Sequence, residues 1–282
     1  MKVLVVGARG MLGMELVEAF GPHHDVAGLD LPDLDITDEA SCLELVRAAA
    51  PDLVVNAAAF TLVDECENRP EDAFRVNGYG AGHLARAAAA AGALLVHYST
   101  DYVFSGRAAR AYVEEDAPDP ESVYGRSKLL GETLVRKHAP EHLVLRISWL
   151  FGPHGKNFIR TILGAARRGE ALRVVDDQTG SPTYARDAAA LTVTLVRSGC
   201  RGVYHATNGG SCSWYELARR SLEWAGITGV SLAPVPTSAF PRPAPRPANS
   251  TLDNARLRRE GFTPLRPWQE AAREYIENYL NQ

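Results

Sequence analysis

A chain of 282 residues admits one large domain, or a main domain with a smaller lobe. Its 46% hydrophobic and 23% charged residues exclude wholesale disorder, and a core of this size needs no disulfide staples. The net charge of −4 supplies no global basic field for nucleic acid or an anionic membrane, so an anionic ligand has to be caught by a local site.

Val3–Val6 is a continuous β-branched and leucine run, suited to a parallel strand buried on both faces. A helical pattern follows at Met11–Phe20, then a second strand at Asp25–Leu29. Thr37 is placed to cap a helix through Ala50, with Asp38 and Glu39 at its positive end and Pro51 beyond it. Asp52–Ala57 is a third strand. Pro70 suits the start of one long helix to about Ala91, closed by Gly92, in which the Ala87–Ala91 run serves tight packing. Ala93–Tyr98 is a fourth strand, Ser122–His138 a helix and Leu143–Ile147 a fifth strand. Such β-α alternation predicts a doubly wound parallel sheet with helices on both faces over residues 1–150. Residues 151–282 are expected to form mainly a smaller substrate-binding lobe, with some segments returning to the sheet. Helices are expected there near Lys156–Arg168, Arg186–Val196, Ser213–Trp224 and Pro267–Tyr279, and strands near Leu172–Val175 and Val203–Ala206. Six prolines between Pro234 and Pro247 predict a covering loop without ladder bonds.

Cys42, Cys66, Cys200 and Cys212 form no C-x-x-C pair, so free thiols in a reducing cytoplasm are expected. His138 and His142 are separated by Pro140, which disfavours the single helical face a zinc pair needs. No apolar stretch reaches the roughly 18 residues of a membrane span. The apolar start is too short for a signal peptide and meets a glycine loop. The expectation is a cytoplasmic protein with no metal, no nucleic acid and no membrane partner.

Three groups of residues carry chemistry. Gly7-Ala8-Arg9-Gly10-Met11-Leu12-Gly13 follows the first strand and opens the first helix, where glycines let the backbone approach a pyrophosphate at the helix N-terminus. Asp30, ending the second strand, can accept hydrogen bonds from ribose hydroxyls, and Asn56-Ala57-Ala58-Ala59 leaves room for a flat cofactor. Tyr124 and Lys128 are four apart on a helix and so share a face; an ammonium beside a phenol lowers its pKa from about 10, making it an acid or base near neutrality. Thr100, just past the fourth strand, lies at the carboxyl end of the sheet, where such folds bind ligands.

Thr100, Tyr124 and Lys128 resemble the catalytic triad of the extended short-chain dehydrogenase/reductases, a Rossmann-like superfamily. The strings His97-Tyr98-Ser99-Thr100-Asp101-Tyr102-Val103-Phe104, Arg146-Ile147-Ser148-Trp149, Asp177-Gln178-Thr179-Gly180-Ser181-Pro182-Thr183 and Arg246-Pro247-Ala248-Asn249-Ser250 narrow this. Along nearly its whole length the chain resembles the dTDP-4-dehydrorhamnose reductase family. The resemblance implies reduction of a nucleotide-linked 4-keto sugar by NADPH or NADH. It implies cofactor contacts at Gly7, Gly10, Met11, Leu12, Gly13, Asp30, Asp35, Ile36, Ala59, Phe60, Thr61, Tyr124 and Lys128. It implies substrate contacts at Thr100, Asp101, Tyr102, Trp149 and Arg246. Asp30 favours NADH and Arg9, free to pair with a 2′-phosphate, favours NADPH, so both cofactors are expected to serve. Related 4,6-dehydratases carry Asp-Glu after the threonine, whereas Asp101 here precedes Tyr102. The regulatory subunit of methionine adenosyltransferase also resembles this family, but the intact triad favours an enzyme. Members that dimerise through magnesium use glutamates. Glu15 matches one, yet Arg186 stands where another is due, so a monomer or a non-magnesium homodimer is expected.

Overall fold

The computed structural model describes residues 1–281. Strand β1 (Lys2–Val6) leads through the glycine turn into α1 (Met11–Phe20), followed by β2 (Asp25–Leu29), α2 (Glu39–Ala49) and β3 (Leu53–Asn56). Two short helices, α3 (Val63–Asn68) and α4 (Pro70–Ala73), run into a π-helical stretch, Phe74–Gly80, that continues as α5 (Ala81–Ala90). Next come β4 (Leu94–Thr100), α6 (Val123–His138) and β5 (His142–Ile147). The rest of the chain adds β6 (Leu150–Phe151), α7 (Phe158–Arg167), β7 (Leu172–Val175), β8 (Thr179–Gly180), β9 (Thr183–Tyr184) and α8 (Ala185–Arg197). It ends with β10 (Gly202–His205), β11 (Cys212–Ser213), α9 (Trp214–Trp224), β12 (Leu232–Val235), α10 (Ala255–Arg259) and α11 (Trp268–Tyr279).

The doubly wound sheet is borne out. Six strands pair in the order β10-β5-β4-β3-β1-β2, all parallel. Val3, Val5, Leu53, Val55, Val96 and Leu145 point to one face and pack on α1 and α8. Leu4, Val6, Val54, Leu95 and Val144 point to the other and pack on α2, α5 and α6. Both faces are buried, which is why these strands are apolar throughout rather than alternating. A separate core, built on Phe151, Tyr184, Trp268 and Tyr275, joins α7, α9 and α11 into a lobe. The chain does not stay in either layer: α8 returns to pack on α1, and β10 adds to the sheet beside β5.

Three local expectations are corrected. Asp38, not Thr37, caps α2: its carboxylate accepts from the N–H groups of Ala40 and Ser41, while Thr37 donates its own N–H to Asp35. The long helix from Pro70 is interrupted by the π stretch, where one extra residue per turn lets Asn77 reach sideways. Its amide accepts from the Phe60 N–H at 2.7 Å and donates to the Phe60 carbonyl and to Ser127 Oγ, each at 3.0 Å. Pro234 is not in a loop but in β12, paired with β7 in a two-stranded ribbon whose outer side tolerates its missing N–H. The segment after it is fastened at two points: Asp177 accepts from Thr237, and Asp64 accepts from Arg246 at 2.9 Å and from the Ala244 N–H at 3.3 Å.

All four cysteines are free and buried. Among the described residues, no helix is long and apolar enough to cross a membrane, and no group of three or more His, Cys, Asp or Glu side chains is placed to hold a metal ion.

Candidate active site

The glycine turn packs against the end of β3 so closely that side chains are excluded. Gly7 has φ +81°, and a Cβ there would lie 2.5 Å from the Ala58 nitrogen. A Cβ on Gly13 would lie 2.0 Å from the Gly7 carbonyl oxygen. The opening N–H groups of α1, which lack partners within the helix, therefore face a shallow groove instead of side chains. That groove is two adjoining cavities. One, of about 390 Å³, is lined by Gly7, Gly10, Asp30, Asp35, Ile36 and Ala57–Ala59. The other, of about 530 Å³, shares Gly10, Ala57 and Ala59 and continues to Met11, Leu12, Thr61, Thr100, Tyr124, Lys128 and Trp149. A dinucleotide fits this surface on two grounds: the cradle that any Cβ would fill, and Ser99, whose buried hydroxyl lies at the cavity wall with no protein partner.

The elements converge because parallel strands end level. Thr100 is the last residue of β4 and caps the turn that follows, accepting from the Tyr102 N–H at 3.2 Å. Ser122 caps α6 by accepting from the Gly125 N–H, which fixes the start of the helix carrying Tyr124 and Lys128. A Cβ on Gly125 would meet the Tyr102 carbonyl at 2.2 Å, so α6 lies directly on the β4 turn. Tyr124 and Thr100 line the same cavity, and the Tyr124 ring meets Tyr102 edge-on with centroids 5.5 Å apart.

Spacing alone misassigned the partner of Lys128. Its ammonium donates to the Tyr98 carbonyl at 2.6 Å rather than to the Tyr124 hydroxyl. The Tyr124 pKa is raised, not lowered, because burial of the phenolate outweighs the opposing influence of Thr100. Burial draws Lys128 down to about 8, with nearby Glu132 opposing. Tyr124 therefore presents a protonated phenol to the cavity.

Asp101 is almost fully buried, and its carboxylate is committed to protein groups. Thr100 donates to Oδ1 at 2.9 Å and Ser148 donates to Oδ2 at 2.8 Å. Burial raises its pKa against hydrogen bonds from Ser250, Ser148 and Thr100. Asp101 thus holds Thr100 in place more than it offers itself to a ligand. Phe60 lines neither groove; its ring carries the Arg69 guanidinium at 5.4 Å, and its backbone is clamped by Asn77. Arg9 is not free either: its guanidinium donates to the Leu31 carbonyl and pairs with Asp33 at 3.1 Å.

Tyr102 and Arg246 lie in a third cavity, of about 780 Å³, on the lobe side. It gathers Arg173, Arg242 and Arg246 with Phe158, Trp214 and Phe240, a set of cations and aromatic faces. Trp149 stands between this cavity and the catalytic one. Its backbone is left-handed at φ +46°, a strain of roughly 1–2 kcal/mol for a residue with a side chain. Sequence reasoning missed Asn77, Ser148, Lys156, Trp214 and Arg173. Lys156 follows Gly155 at the cavity edge, and a lysine inside a glycine turn was the one local signal available.

On α1, Glu15 is buried, its Oε2 facing Arg186 while its Oε1 has no hydrogen-bond partner. Arg186 approaches at 3.4 Å and His154 at 3.5 Å, and Arg186 also donates to the Tyr279 hydroxyl.

Residues 1–281 match the family described as the RmlD substrate binding domain. The spore coat polysaccharide biosynthesis protein SpsK of Bacillus subtilis is 42% identical, covering 98% of this chain and 97% of that protein. A dTDP-4-dehydrorhamnose reductase of Burkholderia thailandensis is 39% identical over the full length of both chains. A solved dTDP-4-dehydrorhamnose reductase of Bacillus anthracis, in complex with NADP, superposes with a TM-score of 0.96 at 36% identity, covering 98% of each chain. The chain belongs to the RmlD substrate binding domain family, as its motifs led one to expect.

Proposed function

We propose that the protein reduces the C4 keto group of dTDP-4-dehydro-β-L-rhamnose with NAD(P)H, giving dTDP-L-rhamnose. The observation that carries this reading is the junction at Trp149. A cavity with a glycine cradle, Thr100, a protonated Tyr124 and Lys128 opens beside one with three arginines and aromatic faces. The first suits a dinucleotide and a ketone; the second suits a nucleoside diphosphate, which needs stacking and cations together. The full-length likeness to the Burkholderia reductase supports the choice of sugar and base.

Bound NAD(P)H supplies the hydride that the ketone carbon accepts. Gly7, Gly10, Met11, Leu12 and Gly13 would hold the cofactor's pyrophosphate, with Asp30, Asp35 and Ile36 on the adenosine side and Ala59 and Thr61 on the nicotinamide side. Phe60 would contribute through its backbone. Tyr124 donates its hydroxyl proton to the C4 oxygen as negative charge develops there, and Lys128, held by the Tyr98 carbonyl, would bind the nicotinamide ribose. On substrate binding Thr100 would turn its single hydroxyl proton from Asp101 to the reacting oxygen, which it would share with Tyr124. Tyr102, Trp149 and Arg246 would seat the sugar and diphosphate. Arg186 in place of an acidic residue supports assembly, if any, without magnesium.

The direct test is to generate the keto sugar with a dehydratase and an epimerase and follow the loss of reduced-nicotinamide absorbance. Turnover with either NADPH or NADH is expected, and no loss with both overturns the substrate assignment.

A further inference from the structure

The catalytic and arginine-bearing cavities meet at two indoles. Trp149 lines the first and Trp214 the second, and their rings lie face to face with centroids 3.5 Å apart and planes within 8°. Trp149 has no slack on its other contacts. A Cβ on Gly180 would fall 2.3 Å from its indole, and its carbonyl is held by the Thr183 N–H at 3.3 Å. Trp214, the first residue of α9, is itself braced by Phe158 with centroids 4.6 Å apart. The strained backbone at Trp149 needs surroundings that over-determine it, and the face-to-face stack is the contact that does so from the side of the arginines.

We propose that Trp214 is a positioning residue for the reduction: it holds the Trp149 indole at the catalytic cavity and ties that pose to occupancy of the arginine-bearing cavity by a nucleoside diphosphate. This rests on the assignment of the two cavities made above. A base or diphosphate packed against Trp214 from Arg173 and Arg246 restricts the stack, and the stack restricts the wall against which the sugar lies. Binding energy gained far from C4 is thereby realised as orientation at C4. A residue that only lined the nucleotide cavity would affect substrate affinity alone.

The experiment compares Trp214→Ala and Trp214→Phe for kcat, KM of the sugar nucleotide and Kd of NADPH, and follows tryptophan emission on adding dTDP alone. Trp214→Ala should lower kcat by about tenfold or more, the usual cost of a small misplacement. NADPH affinity should stay within about twofold, and Trp214→Phe should recover most of kcat. In the wild type dTDP should shift the emission, and a shift should persist in Trp214→Phe, where Trp149 is the indole left at the junction. A Trp214→Ala variant with raised KM and unchanged kcat overturns the proposal, as does a phenylalanine variant no better than alanine. If Trp214→Ala does not fold, the emission decides: a dTDP shift that is absent in Trp214→Phe, where Trp149 would be the reporter, overturns the coupling. Failure of the wild type to turn over the keto sugar would instead strike the functional assignment, and the emission arm would still judge the indole pair.

Discussion

Tyr124 is a phenol that burial keeps protonated, and for a reduction that is the useful form. The developing C4 alkoxide needs a proton, and a donor already carrying one spends no step acquiring it. Tyr124→Phe should retain NADPH affinity in a binding titration and lose turnover by about 10²–10⁴-fold. Lys128 gives a second expectation. Its value in the folded protein, about 8, lies below its ordinary 10.5, so the charged form that grips the ribose is lost early as pH rises. The kcat/KM for cofactor should fall through an apparent pKa near that value, because this ratio reports the free enzyme. The linked effect on stability has the opposite sense: the unfolded chain holds the proton more tightly, so burial of the charge costs stability below that value, and the cost is relieved as pH climbs toward 10.5. A profile flat to pH 9 would remove Lys128 from the ribose. The sequence displayed the shared face of Tyr124 and Lys128 through their spacing. It could not display the Tyr98 carbonyl that takes the ammonium, because that partner arrives from the neighbouring strand.

Elements whose identity depends on local pattern were legible. The buried strands announce themselves as β-branched runs, and α6 by Ser122 at its start and basic residues in its last turn. The π stretch was not legible, since it exists to let Asn77 bond Phe60 and Ser127, residues far away in sequence. Pro234 misled for the same reason: its strand partner, Val174, is supplied by a distant segment. The helix pair α1 and α8 shows what one side chain can change. Glu15 is buried with its pKa raised by desolvation, and Arg186 from α8 opposes that shift. With the Arg186 cation already beside the carboxylate, treatment with a chelator should leave the elution volume in size-exclusion chromatography unchanged. Arg186→Ala should lower stability at pH 7 by about 1–2 kcal/mol, allowing for the partial exposure of the arginine. That loss should shrink in acid, because a carboxyl with a raised folded pKa is penalised only in its charged form. An Arg186→Ala variant equally stable at pH 7 would show that the ion pair contributes nothing.

Across the whole molecule, ligand access depends on the segment following β12. Its fastenings, Thr237 on Asp177 and Arg246 with Ala244 on Asp64, are polar and partly exposed, so they can exchange for a diphosphate at small cost. Hydrogen exchange across residues 236–247 should slow when dTDP is added, and unchanged protection would mean that this segment does not close over the ligand. The lobe itself has a different character. Because α8 packs on α1 and β10 pairs with β5, the chain crosses between sheet and lobe repeatedly rather than through one linker. Hinge bending needs few connections, each able to absorb a large backbone rotation. Here any swing of the lobe would have to bend several connections at once. Opening and closing should therefore be a local peeling of one strap, leaving the radius of gyration in small-angle scattering the same with and without saturating NADPH and dTDP. The scattering curve, unlike that of a clamshell enzyme, should be blind to catalysis.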